Sequence, residues 1–402
     1  MEAHIMERYD IHTPITFPKG MYHLSDEEHF NYQLCRTVNW SGGDLEEIKG
    51  IAGAIRNFSD WKNVLWKLGG KAEEEGRIGN AIAYYRMADF YTSYADPEKT
   101  AHYTYARDLF YEYYGDYFEG EHPAVERLQA EYENGKYLPI LHCKPEGESK
   151  GVILIHGGND SYMEEFFFMM LYLRQNGYEV YLYEGPGQGS VIRLQHLPFT
   201  WQWEKTSKAI TEKYDLHDVT IIGISLGGYF APRAAAYDKR ISRVIAWSVY
   251  PGTWDVFAGQ MGKGPVKAMQ GMLKVKAGKL LDKMFARMKE KGDLGAQVIT
   301  DMCYSYGVST VSGLGEAIGN YDLRNCAQLV DQDMLIIGAD KDIMIDRTLI
   351  GRELDMLVNV HSLTYTELKT KQEAGDHCNV GNPKLALDTI LEWMQTHTVE
   401  FC

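Results

Sequence analysis

The 402 residues predict a doubly wound α/β domain, and three observations carry that prediction. Five short β-rich runs occur: GVILIHGG (151–158), YEVYLYEGPG (178–187), DVTIIGISLGG (218–228), SRVIAWSVY (242–250) and DMLIIGAD (333–340). Bounded by Gly or Pro, they fit strands buried on both faces of a mostly parallel sheet. Helix-length segments separate them, which makes βαβ units. The composition, 45% apolar and 24% charged, is that of a globular chain with room for two or three domains and a large core.

The elements fall into four zones. Residues 1–146 read as a helical, strongly aromatic N-terminal domain. In GRIGNAIAYYRMADFYTSY, Ile78, Ile82, Tyr85 and Ala88 recur at helical steps. Asp96-Pro97 breaks that helix, and the next opens with Pro97 near its first turn. Residues 147–255 carry four of the five strands, and 331–402 carry the fifth, an edge strand near LVNVHSLTY and the last helix, PKLALDTILEWMQ. Between them, 256–330 is far longer than one crossover needs. Its lysine- and methionine-rich helical spacing reads as a cap insertion over the sheet's C-terminal edge, many of its residues forming a solvated face.

Charge and cysteine usage exclude several classes. Lys and Arg number 41 against 56 Asp and Glu, a net charge of −15 that repels phosphate backbones and anionic lipid. Neither nucleic acid nor a membrane surface is therefore an expected partner. No apolar run approaches the roughly 20 residues a membrane span needs. MEAHIMERYD shows no basic region followed by an apolar stretch, so no secretory leader is expected. Six scattered cysteines without a CxxC pair suit a reducing cytoplasm and give no metal-ligand spacing. No cofactor is expected.

Gly223-Ile224-Ser225-Leu226-Gly227 is a G-x-S-x-G between a buried strand and a helix-like segment. A sharp strand-to-helix turn there lifts the Ser225 hydroxyl off the sheet and gives it the free N–H groups of a helix N-terminus. Pro232 falls inside that helix, and Gly228, four residues back, leaves room for its ring. A serine hydroxyl needs a base, and the base needs an orienting carboxylate. In α/β-hydrolases both follow the nucleophile, in the order acid then histidine. Three histidines qualify: His361 at an edge strand, His397 in the tail and His377 in the loop KQEAGDHCNVGNP. The loop placement selects His377. For the acid, Asp340, Asp342 and Asp346 all follow the strand DMLIIGA; Ile343-Met344-Ile345 favours Asp342, with Asp340 as the alternative. The oxyanion donors expected are the backbone N–H of Leu226 and that of Gly158, with Asn159 as second choice. Glu184-Gly185-Pro186-Gly187-Gln188-Gly189 makes a poor phosphate cradle and reads as a rigid turn lining the site. The 13 Phe and Tyr between Tyr84 and Phe118 read mostly as helical core.

With these residues assembled, the chain resembles an α/β-hydrolase group that includes 2,6-dihydroxypseudooxynicotine hydrolase, the fungal polyketide chain-shortening hydrolases and the fermentation/respiration switch esterase-like proteins. YYRMADFY, HGGNDSYMEE, YEGPGQGS, GISLGGYFAPRAAAYDKRI and AGDHCNVGNP carry the resemblance, over about residues 80–385. It implies the α/β-hydrolase fold, Ser225 as nucleophile, His377 as base, a helical N-terminal domain over the site and a possible homodimer. It further implies ester hydrolysis or cleavage of a carbon–carbon bond in a β-dicarbonyl compound, without metal or organic cofactor. The expected function is thus a cytoplasmic serine hydrolase of a small carbonyl substrate. An acyl-peptide or amide hydrolase and a non-catalytic binding protein on the same fold are the rivals.

Overall fold

A computed structural model describes residues 6–290 and 294–397. One eight-stranded sheet organises it: β1 (Glu126–Glu131), β2 (Tyr137–Cys143), β3 (Val152–His156), β4 (Glu179–Tyr183), β5 (Val219–Ile224), β6 (Ile241–Trp247), β7 (Asp333–Ala339) and β8 (Ser362–Leu368). Its order is β1-β2-β4-β3-β5-β6-β7-β8. β1 and β2 pair antiparallel, as do β2 and β4, and the remaining pairs are parallel.

Alternate side chains of the central strands enter two separate cores. Ile153, Ile155, Ile222 and Ile224 pack on one face against the helices Phe167–Gln175 and Pro383–Thr396. Leu154, Ile221, Val244 and Ile336 pack on the other, against Trp203–Lys213 and Gly227–Tyr237. Both faces are covered, which is why these strands read as continuous apolar runs. Each such fully buried Leu or Ile contributes roughly 1.5–3 kcal/mol of burial free energy.

The strand order reverses between β3 and β5: β4 lies on one side of β3, and the chain returns to place β5 on the other. Ligands of open α/β sheets bind at the carboxyl ends of the strands flanking such a reversal. His156, at the end of β3, is in register with Gly223 near the end of β5. The two loops that leave these strands therefore emerge side by side.

Two helical groups flank this end. Helices Glu28–Asn39, Leu45–Ala52, Phe58–Glu74, Ile78–Phe90 and Lys99–Tyr113 precede the sheet. Asp44 and Asn57 cap two of them by accepting from Glu47 N–H and Asp60 N–H. Between β6 and β7 stand Thr253–Met261, Lys263–Lys274, Gly278–Glu290, Leu294–Ser305 and Val311–Ile318.

The sequence reading of 1–146 as helical needs correction, because residues 126–143 form β1 and β2 of the sheet. In ERLQAE only Ala130 is fully buried, so no apolar run announces β1. In β2, Pro139 has no N–H to give the ladder, which argues against a strand in the sequence. Among the described residues no helix is long and apolar enough to cross a membrane, and no group of His, Cys, Asp and Glu is arranged to hold a metal ion.

Candidate active site

Ser225 directly follows β5 and has φ 63°, in the left-handed region. Its conformation is held from both sides: Ser225 N–H donates to Trp247 O at 3.1 Å, and Gly228 N–H donates to Ser225 O at 2.8 Å. A Cβ at Gly223 would collide with the backbone of Gly227, so the strand and the helix can cross this closely only through glycine. The helix Gly227–Tyr237 starts immediately afterwards and runs through Pro232.

His377 reaches the same point from the loop after β8. Its Nε2 lies 2.8 Å from Ser225 Oγ. Its Nδ1 lies 2.8 Å and 3.1 Å from the two carboxylate oxygens of Asp342. That carboxylate is itself fixed, since Oδ1 accepts from Met344 N–H at 2.8 Å and Ile345 N–H at 2.9 Å. Lys341 N–H donates to Gly375 O at 2.7 Å and ties the acid's loop to the histidine's. Asn379 anchors the loop to β6 by accepting from Trp247 Nε1 at 2.9 Å. Burial opposes a charged His377, but the Asp342 carboxylate on Nδ1, helped by Cys378, outweighs it and holds the imidazole's pKa well above the ordinary value.

The alternatives lie elsewhere. Asp340 accepts from Thr370 N–H and Oγ1 at 2.8 and 2.7 Å, and Asp346 accepts from Thr348 N–H and Oγ1. His361 pairs with Asp333 at the edge of the sheet, and His397 stacks on Trp393.

The loop after β3 meets the elbow, the sharp turn at Ser225 between β5 and the helix Gly227–Tyr237, on the other side. A Cβ at Gly158 would lie 2.5 Å from Leu226 N and 2.7 Å from Ile224 O, so no side chain fits there. Gly158 was the first expected oxyanion donor, but its N–H already donates to Ser161 Oγ at 2.8 Å. Among the described residues, the N–H groups of Leu226 and Asn159 make no hydrogen bond. The second choice, Asn159, thus offers the free donor on this loop. Ser161 sits three residues along the chain, and a serine in GGNDS carries no signal that its hydroxyl turns back.

Two further side chains make contacts that residue type and spacing do not announce. Gln188, in the turn after β4, donates from Nε2 to Gly157 O at 2.7 Å and Gly158 O at 3.1 Å, while its Oε1 accepts from Gly185 N–H. The EGPGQG segment therefore braces the β3 loop from behind. Tyr32, on the first N-terminal helix, donates to His377 O at 3.2 Å. Neither has a local signature; each depends on where a distant loop arrives.

Residues 151–357, just over half the chain, match the family described as alpha/beta hydrolase fold. The alpha/beta hydrolase psoB of Aspergillus fumigatus is 27% identical over 287 residues, 59% of this chain and 61% of that protein. The 20-hydroxy-prefusarin hydrolase FUS2 of Gibberella moniliformis is 26% identical over 291 residues, 63% of this chain and 67% of its own length. The chain thus spans about three fifths of psoB. Among solved structures, that of 2,6-dihydroxy-pseudo-oxynicotine hydrolase superposes with a TM-score of 0.61 at 17% identity, covering 91% of this chain and 95% of that one. By this match, and by a sheet order with its elbow at the strand reversal, the chain belongs to the alpha/beta hydrolase fold family.

Proposed function

We propose that the protein is a serine hydrolase of a small carbonyl compound, cleaving an ester or the carbon–carbon bond of a β-dicarbonyl substrate through an acyl-enzyme. The observation that carries this reading is the continuous chain of short contacts from Ser225 Oγ through the His377 ring to Asp342, 2.8 Å at each link. In this reading Ser225 Oγ attacks the carbonyl carbon while His377 Nε2 takes its proton, and Asp342 keeps Nδ1 protonated and steadies the imidazolium. The oxygen that becomes negative accepts from the N–H groups of Leu226 and Asn159, whose free donors cost no reorganisation when the charge forms. His377 returns the proton to the departing alkoxide or enolate, and the same ring then activates the water that frees Ser225.

The relatives' names, hydrolases of 20-hydroxy-prefusarin and of 2,6-dihydroxy-pseudo-oxynicotine, support small organic substrates. The test is direct. Purified protein reacts with a fluorophosphonate probe and turns over nitrophenyl esters or β-diketones; Ser225→Ala loses labelling and at least about 10⁴-fold of the turnover while keeping its melting temperature within a few degrees. Full labelling of Ser225→Ala overturns the assignment, and the ester-versus-diketone rates decide which bond is cleaved.

A further inference from the structure

A cavity of about 110 Å³ lies where the N-terminal helices, the loop after β3 and the helix Leu294–Ser305 meet. Its walls include the rings of Phe58, Phe90, Tyr91 and Tyr94, and its polar rim includes Asn159, Asp160 and Asp301. Asn159 thus belongs to two places: its N–H is the free donor on the loop beside the elbow, and the residue borders this cavity. A closed cavity of about 150 Å³ accepts a benzene ring, so this smaller space suits a short branched chain or the edge of a single ring.

The polar groups around it are unevenly matched. Asp160, with φ 52°, accepts only from Asn159 Nδ2 at 2.6 Å among the described residues. That bond fixes the amide's orientation and leaves Asn159 Oδ1 buried without a partner. Asp301 uses one oxygen, accepting from Ser93 Oγ at 2.7 Å and Tyr94 N–H at 2.9 Å. The nearby cations are committed elsewhere. Lys99 Nζ donates to Asp89 O at 2.6 Å and lies 3.4 Å from the Asp89 carboxylate, which also holds Arg193 at 3.2 Å. Asp160, Asp301 and Asn159 Oδ1 therefore keep acceptor capacity to spare, while Lys99 and Arg193 are held by Asp89. Burial pushes the Asp160 carboxyl above its usual range, partly offset by Arg193 and Lys99, as expected of an acceptor short of donors. Such a deficit is costly unless a bound group fills it.

Resting on the serine reading above, we infer that this cavity is the recognition pocket for one end of the substrate, and that it takes a small apolar group bearing a hydrogen-bond donor, a hydroxyl or an amine, with Asp160 as its acceptor. The aromatic walls hold the apolar frame, and the donor supplies what Asp160 and Asn159 Oδ1 lack. Because the pocket begins at Asn159, a group seated in it extends toward the carbonyl held at that residue's N–H.

Binding measured by calorimetry on the Ser225→Ala protein tests this without turnover, using two isosteric pairs: phenol with toluene, and benzylamine with ethylbenzene. In at least one pair the donor-bearing member binds about tenfold tighter or more, the pair that shows it distinguishing hydroxyl from amine. Asp160→Ala brings that preference below about threefold, and Asp160→Asn, which keeps an acceptor without the charge, retains part of it for phenol. No preference in either pair, or a preference that survives both Asp160 variants, overturns the pocket. Fluorophosphonate labelling of the wild-type protein keeps the two readings apart. No preference in either pair for the Ser225→Ala protein, with wild-type protein labelled at Ser225, removes the pocket alone, whereas wild-type protein that is not labelled at Ser225, with the preference present in Ser225→Ala, removes the serine reading alone.

Discussion

Two buried histidines flank the elbow, one closing β3 and one in the loop after β8, and their surroundings push them in opposite directions. His156, closing β3, lies among Tyr183, Trp203 and Phe230. Its Nδ1 is 2.9 Å from Gly157 O, its Nε2 has no partner, and burial lowers its pKa to about 4. His377, after β8, is buried as well, yet the Asp342 carboxylate raises it. The contrast teaches that burial beside the Ser225 turn does not by itself fix a histidine's charge; a carboxylate on one ring nitrogen does.

The sharpest way to break the comparison is to strip His377 of what His156 lacks. Asp342→Asn is expected to lower kcat by about 10⁴-fold, measured on any turned-over ester, because the ring loses its orientation and tautomer. Gly158→Ala comes next: with backbone 2.5–2.7 Å from the new methyl, the β3 loop must move, and kcat falls about 10–100-fold. A kcat within twofold of wild type would show that the loop does not position the oxyanion.

The pH profile gives a smaller but signed effect. In the proposed mechanism the neutral ring is the base, so kcat/KM is expected to rise with pH through an inflection above about 6.5, and the raised pKa means it climbs later than for an isolated histidine. The fold responds with the opposite sign. The charged pair adds stability below the unfolded-state pKa, and that increment is lost as pH rises through the folded value. Urea midpoints across that window check it, most cleanly against Asp342→Asn. The smallest change is expected from His156→Phe. It gives up one hydrogen bond to Gly157 O, which Gln188 also serves, and removes an unpaired buried nitrogen, leaving stability within about 1 kcal/mol and kcat within about threefold. A large activity loss there would equate the two histidines after all.

The parallel core was legible because strands buried on both faces write continuous apolar runs, and Ser225 because its turn demands glycines on either side. His377 and Asp342 could be ranked from loop position, although only the geometry separates Asp342 from Asp340, two residues apart along one loop. What stayed hidden depends on arrivals from afar. β1 is charged and β2 carries Pro139, so neither shows a strand pattern. Ser161 takes the Gly158 N–H by a turn that residue type does not announce. Tyr32, Gln188 and Asp160 gain their meaning from loops more than twenty residues away in the chain.

The hydroxyl of Tyr32 on the His377 carbonyl has a practical corollary. The helices that precede the sheet are buttresses as well as covering, so a fragment trimmed to the α/β layers would present a histidine whose loop has lost one of its moorings. Any search for a minimal active piece of this chain should begin upstream of residue 32.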